Sequence, residues 1–519
     1  MIRLKRLSGC VMVPLLLVAG LETASAEVRL VDAVKKGDKA AVRTLLQQSV
    51  DVNIAEADGT TALHWAVQRQ DVALEDQLIR AGANPKAVNR YGVTPLTLAC
   101  VNGDAASVNL LLKDGADPNA ALPNGETALM TAARTGSADA VNALIAHGAD
   151  VSAKESGHGQ TALMWAAGEG NVDAIKALVA HGADVKAREN GGWTAMLFAV
   201  RAGRSDAVGA LLAAGVDVND PVVPPPGGRG RGRGAGAGVA GAAGAAGRRG
   251  GGPGGGPSAL LVAVANARYE LASMLLDKGA NATYAGQGWT ALHEVVAVRT
   301  PGHSSAVPAP KGSGNMDSLE FVKRLVAHGA NVNALTMARP TTSGPTSLKL
   351  VGATAFFMAG RTCDVPLMRL LVELGADPKL PNEDGTTPLL AAAGVDTSSP
   401  GEDAGTEPDC LEATKLTLQL GNDVNAVDKN GNTAMHGAAF KQYPSVVKLL
   451  AENGAKIEIW DRKNVSGWTP LRIAAGVHRG MNFRFSEPTA DALRAVMAAA
   501  GVSTEVEPEA VISGGTPTK

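Results

Sequence analysis

Short apolar runs punctuate the chain, each headed by a threonine or, once, a serine: Thr61, Thr94, Thr127, Thr161, Thr194, Ser258, Thr290, Thr354, Thr387, Thr433 and Thr469. The first five are 33, 33, 34 and 33 residues apart. A period of that length predicts a stack of similar supersecondary units. In the unit Asn89 to Pro123, residues 89–93 read as a tight turn, with Gly92 two places before Thr94. Thr94 then caps a helix that starts at Pro95, where a missing N–H costs nothing. Leu96, Leu98, Ala99 and Cys100 give this helix a small apolar face, and Asn102-Gly103-Asp104 ends it. Val108, Leu111 and Leu112 mark a second helix that closes at Gly115. The closing glycines, Gly82, Gly115, Gly148, Gly182 and Gly215, repeat the same spacing independently.

Thr61-Ala62-Leu63-His64-Trp65-Ala66, Thr290-Ala291-Leu292-His293 and the recurrent Gly-Ala-Asp or Gly-Ala-Asn triplets resemble the ankyrin repeat over nearly all of residues 28–501. The resemblance implies an all-α repeat solenoid of about twelve ankyrin repeats, each two antiparallel helices plus a short β-hairpin finger. Residues 27–57 lack the signature threonine and read as an amino-terminal capping unit. Repeats one to six then occupy 27–222 and repeats seven to twelve 257–501, followed by a flexible tail at 502–519. One unit cannot bury its apolar face alone, so neighbours must do it. Aromatic residues are 3% of the chain, which leaves Ala, Leu and Val to build the core.

Departures from the period locate insertions. The Pro, Gly, Ala and Arg tract at 223–256 has too little apolar surface to order itself. Shorter insertions fall near 300–316, 336–350, 395–408 and 478–488, three of them at the turn between the two helices. Insertions on one face of a solenoid either build a functional rim or drift as surface loops.

Residues 1–26 carry the pattern of a secretory leader. Arg3, Lys5 and Arg6 precede an apolar stretch from Val11 to Leu21 that is too short to span a bilayer, and Ala24-Ser25-Ala26 offers a cleavage site before Glu27. The expectation is an exported protein, periplasmic first and secreted second, with no transmembrane segment in the mature chain. Of the mature cysteines, Cys100 reads as a buried small residue. A disulfide between Cys363 and Cys410 is open at this point. An oxidising compartment favours it. Neighbouring units stack near 10 Å, whereas bridged Cα atoms need about 4.4–6.8 Å, a gap that the insertion before Cys410 would have to close.

Little in the chain points to chemistry. His293-Glu294 lacks the second histidine of a zinc protease, and there is no Cys-x-x-Cys, phosphate loop or nucleophile elbow. No catalytic residue, cofactor or metal ligand is assigned, and the chain is read as a non-enzyme. His303 and His478 are the two histidines free of repeat duty; with Asp403, Glu407, Cys363 and Cys410 they frame the alternative of a metal-dependent or catalytic site on the carboxy-terminal insertions. An exported effector-like protein is a further alternative. A formal net charge of −2 gives no hint of a nucleic-acid partner.

The favoured expectation is a non-catalytic scaffold that holds a protein partner in the concave groove. The family resemblance implies that the residues around the finger glycine face that groove. Here these are Arg90, Tyr91, Val93, Glu126, Gln160, Trp193, Trp289, Asn432 and Trp468. Three of the six tryptophans share one finger slot. They read equally as interface anchors or as side chains packed across their own fingers.

Overall fold

The computed structural model describes residues 30–223, 255–300, 314–340, 348–397, 404–479 and 482–506. The leader at 1–26, most of the tract at 223–256, parts of the four shorter insertions, and the tail beyond 506 lie outside the described residues.

Every threonine or serine of the periodic set stands in extended backbone at the N-cap of a helix. Where residue three of the helix is not histidine, the hydroxyl accepts its N–H, as Thr94 Oγ1 does from Thr97 at 3.1 Å. Gly92 shows why the preceding turn selects glycine: φ is +78°, and a Cβ there would come within 2.6 Å of Pro123.

The chain forms two compact units, divided at Val216 and Asp217. In the first, the opening helical pair (residues 30–36 and Lys39–Gln47) is followed by five helix pairs. The first helices Ala62–Gln68, Pro95–Asn102, Ala128–Thr135, Ala162–Glu169 and Ala195–Ala202 stack on one another in that order. The second helices Val72–Arg80, Ala105–Lys113, Ala138–Ala146, Val172–Ala180 and Ser205–Ala213 form a parallel stack. Ala66, Ala99, Ala132, Ala166 and Ala199 are wholly buried between first helices, because side chains this small let the backbones approach.

The second unit repeats the scheme from Ala259–Ala265 to the carboxy-terminal helix Glu487–Ala499. Its core adds bulk: Phe321, Phe356, Phe357, Phe440 and Trp460 are buried. The insertion near 478–488 contains a two-stranded antiparallel ribbon, Val477–Arg479 paired with Asn482–Arg484, with His478 opposite Phe483. The finger tract 217–222 belongs to this unit, tied by Val222 N–H to Pro257 O and by Gly256 N–H to Val222 O, each 3.0 Å.

The fingers depart from expectation. Among the described residues they are turns carrying isolated bridges at Ala55–Thr61 and Ala121–Thr127, not β-hairpins. The reason is that side chains take the donors a ladder would need. Asn89 Oδ1 accepts from the N–H groups of Tyr91 and Val93, and Asn382, Asp428 and Asn464 do the same in later fingers. Successive fingers are joined by backbone bonds such as Arg90 N–H to Asp58 O at 2.8 Å and Asn190 N–H to His158 O at 2.7 Å.

Two further devices lock a repeat to the next. The first is histidine. Nδ1 of His64, His293 and His436 accepts from the N–H of its own capping threonine at 3.2 Å. Nε2 donates onward to the carbonyls of Val93, Ala334 and Arg462 at 3.0–3.1 Å. The neutral ring fills both roles, and burial holds His293 and His436 down at about pKa 4. Their folded values lie below the unfolded 6.5, so this contribution is present above pH 6.5 and is lost as pH falls through about 4.

The second device is asparagine. Asn119 Nδ2 donates to Gly148 O at 2.9 Å, while its Oδ1 accepts from Asp150 N–H at 2.8 Å. Asn53, Asn219, Asn333 and Asn425 make the same pair of bonds to the end of the next helix pair. Each satisfies a helix-end carbonyl that would otherwise need water. Asn119→Ala removes both bonds, and urea unfolding is expected to show a loss of about 1–2 kcal/mol.

Glu75 is the fold's one costly carboxylate among the described residues of the first unit. It is wholly buried, its Oε1 accepts from Ser107 Oγ at 2.8 Å, and its Oε2 has no partner among the described residues. Burial pushes its pKa up to about 7. The folded value exceeds the unfolded one, so the neutral acid's contribution is complete below pH 4.5 and is lost as pH rises through about 7. Glu75→Gln is expected to raise stability by about 1–3 kcal/mol at pH 8 and to leave it nearly unchanged at pH 4.5. Urea midpoints at the two pH values measure the difference.

Candidate protein-binding face

Each finger leads directly into its own first helix, and the side chains around that junction are the candidate surface. The finger residues expected to line it divide into three groups. Arg90 and Tyr91 stand out into solvent, Tyr91 at 54% exposure. The Arg90 guanidinium donates to Tyr91 Oη at 2.7 Å and lies 4.9 Å from the ring centre. Val93, Glu126, Gln160, Trp193 and Trp468 are half-buried. Glu126 Oε1 accepts from Thr131 Oγ1 at 3.0 Å and lies 3.6 Å from the Arg134 guanidinium. Trp193 leans on Phe198, with ring centres 5.9 Å apart, and under Arg201 at 5.1 Å. Trp468 meets Phe440 edge-on at 6.4 Å.

Trp289 and Asn432 do not line an open groove, contrary to the sequence expectation. Trp289 is 4% exposed, and its Nε1 donates to the buried Glu294 Oε2 at 2.6 Å. Its ring is absorbed because the +4 residue of its helix offers an acceptor beneath it. Asn432 is 2% exposed. Its Nδ2 donates to Asp428 Oδ2, its Oδ1 accepts from Asn464 Nδ2 at 2.9 Å, and it serves as a link between fingers. For Trp289 the choice between anchor and packing falls to packing.

The sequence reading missed a second row, at the fourth residue after each capping threonine. In the first unit this row is Trp65, Leu98, Thr131, Trp165 and Phe198, of which all but Thr131 are half-buried. The signal was present: an aromatic recurs at this register in three of the five repeats. Cations cover the rings. Lys35 Nζ lies 4.4 Å from the Trp65 centre, Arg134 5.1 Å from Trp165, and Arg201 5.1 Å from Phe198. Acids steer them: Glu56 accepts from both Lys35 and Trp65 Nε1 at 2.8 Å. Burial pulls the Arg201 guanidinium down from its ordinary value, and Glu189 opposes that shift.

The same register in the second unit reads Val262, Glu294, Met358, Ala391, Gly437 and Ile473, and all six are buried. At Gly437 the backbone of Ala393 and Val395 lies where a side chain would go. The row is therefore aromatic-rich and mostly half-open in one unit, and buried with no aromatic residue in the other.

The repeat family is recognised independently. The model for ankyrin repeats in three copies matches residues 30–122, 76–155, 129–221 and 405–481, and that for the single ankyrin repeat matches 287–337. Together they cover more than half of the chain. The chain belongs to the ankyrin-repeat family. Ankyrin repeats are protein-interaction modules. A putative palmitoyltransferase ZDHHC13 of Danio rerio is 32% identical over 116 residues, 22% of this chain and 16% of that protein. So short a span of the relative leaves its named activity with the relative.

Among the described residues of this ankyrin-repeat protein no group of three or more His, Cys, Asp or Glu side chains could hold a metal ion. His303 and Asp403 lie outside the described residues. Glu407 is engaged with the N–H and hydroxyl of Ser445. Nor is any described helix long and apolar enough to cross a membrane. Cys363 and Cys410 form a disulfide with Cα atoms 4.9 Å apart. Helix Glu407–Gln419 carries Cys410 in beside the turn that holds Cys363, which closes the stacking gap. Cys100 is a free, buried thiol, and burial pushes its pKa up to about 12.

The burial pattern separates the two classes of finger aromatic. Trp289→Ala is expected to cost about 3–5 kcal/mol of stability by cavity formation and the loss of the donor to Glu294. Tyr91→Ala is expected to change it by less than about 0.5 kcal/mol. Thermal and urea unfolding of the two variants check this.

Proposed function

We propose that the chain is a non-catalytic scaffold that captures a protein partner on the inner face of its first unit. That face runs from the exposed finger tip at Arg90 and Tyr91 to the row Trp65, Leu98, Trp165 and Phe198. One observation carries the reading: the register is aromatic-rich and mostly half-open in residues 30–216, whereas in the second unit it holds no aromatic residue and is buried. Aromatic and arginine side chains are the usual anchors of protein interfaces. The rings here are already held by neighbouring cations, so little conformational freedom is lost when a partner docks. A near-neutral chain with acids beside its cations favours a protein over a nucleic acid.

Capture on the immobilised chain, followed by titration of the purified partner, tests the surface. Trp165→Ala and Tyr91→Ala are each expected to weaken binding about tenfold or more, as interface anchors do. Lys429→Ala, in a finger of the second unit, should leave affinity unchanged. Equal losses from both units would contradict the placement.

We also propose that this scaffold works outside the cytoplasm. The basic, apolar and small-residue order of residues 1–26 supports this, as does the Cys363–Cys410 bridge. Mass spectrometry of the native protein is expected to find Glu27 as its first residue; a retained Met1 would contradict it.

A further inference from the structure

The disulfide has an unusual neighbour. Lys441, the last residue of helix Ala434–Lys441, is 3% exposed. Its ammonium lies 3.3 Å from Cys410 Sγ and 3.8 Å from Cys363 Sγ, and it donates to Ala404 O at 3.1 Å. The sulfurs of a disulfide are weak acceptors, and a thiolate at the Cys410 position would be a far stronger partner for an ammonium 3.3 Å away.

The two sulfurs are not equivalent. Cys410 sits in the first turn of helix Glu407–Gln419, where the helix dipole favours an anion. Cys363 sits in the left-handed turn beyond helix Ala355–Arg361. Charged groups lie close to the pair, and the Asp409 carboxyl, lowered first by its bonds to Thr406, is lowered further by the Lys441 ammonium. Asp409 accepts from the Thr406 N–H and hydroxyl, and Glu407 is bound by Ser445. Asp364, next to Cys363, is paired with Arg299. Arg361 is buried two residues before Cys363.

The cover over the bridge is thin. Gly405, half-exposed at φ +94°, lays its backbone on both sulfurs; a Cβ there would come within 2.8 Å of Cys363 Cβ and 2.9 Å of Cys410 Sγ. Two side chains hold residues 404–405, Lys441 on Ala404 O and Tyr443 Oη on Gly405 O at 3.0 Å.

We propose that Cys363, Cys410 and Lys441 form a thiol–disulfide exchange site, reduced by an external dithiol, in which Cys410 leaves as a thiolate held by the Lys441 ammonium. One thiolate of the dithiol attacks Cys363 Sγ, and the electron pair of the broken S–S bond goes to Cys410 Sγ. The second thiol of the reductant then attacks the mixed disulfide. It releases Cys363, which takes up a proton, and leaves the reductant as its own disulfide. Stabilising the leaving thiolate speeds the first step and favours the reduced form.

The test uses the full-length chain, reduced by dithiothreitol without denaturant and alkylated with iodoacetamide from pH 5 to 10. Peptide mass spectrometry reads each cysteine separately, with buried Cys100 as the unreactive reference. Cys410 is expected to react with a midpoint about one pH unit or more below that of Cys363, and below the ordinary thiol value of about 8.5. Lys441→Met should raise the Cys410 midpoint by about one pH unit, the loss of one close counter-charge, and Lys441→Arg should keep it low. A bridge that resists dithiothreitol, a Cys410 that is unreactive or titrates no lower than Cys363, or a midpoint indifferent to Lys441→Met in the folded variant each overturns the proposal. Should Lys441→Met not fold by circular dichroism, the order of the two thiols in the wild-type chain decides.

Discussion

Everything in this molecule depends on one repeat burying the apolar face of the next. Helices of seven to nine residues are too short to persist alone. They persist because alanines at the contacts let neighbours close up, and because polar side chains reach across each junction to finish hydrogen bonds that one repeat leaves open. His64 and Asn119 show the two forms of that reach, one toward a finger carbonyl and one toward a helix end. Each needs the neighbouring repeat in place, so local order and stacking are one event.

That constraint explains how much of the fold was legible. The capping threonines, the turn glycines and the helix-ending glycines do their work within a few residues of sequence, and a period of 33 displays them directly. The asparagine clamp was equally visible, since Asn53, Asn119, Asn219, Asn333 and Asn425 each lie two residues past an Asp or Asn, but its meaning needs the next repeat. The β-hairpin expected in the fingers failed because Asn89 and its counterparts spend backbone donors on their own turns. The ribbon at Val477–Arg484 sits in an insertion where no period guides the eye.

The site was less legible, for a physical reason. A tryptophan in a finger slot is an anchor or a packing residue according to what lies under it. Glu294 lies under Trp289, whereas Phe198 and Arg201 lie beside Trp193. The row at Trp65, Trp165 and Phe198 was written in the sequence, yet only burial shows that its equivalents in the second unit are filled. Spacing likewise left the Cys363–Cys410 pair undecided. An insertion shifts a helix by an amount that counting residues does not reveal. The two units thus keep one frame and differ in what the frame exposes: the first leaves an aromatic-rich row half-open, while the second buries the same register and houses a bridged cysteine pair beside a buried lysine.

Hydrogen–deuterium exchange of the full chain with and without its captured partner tests the central claim most directly. The account predicts added protection in the fingers and first helices between residues 56 and 202, with exchange between 258 and 475 unaltered. Protection centred on the first helices of the second unit, with residues 56–202 unaffected, would contradict it.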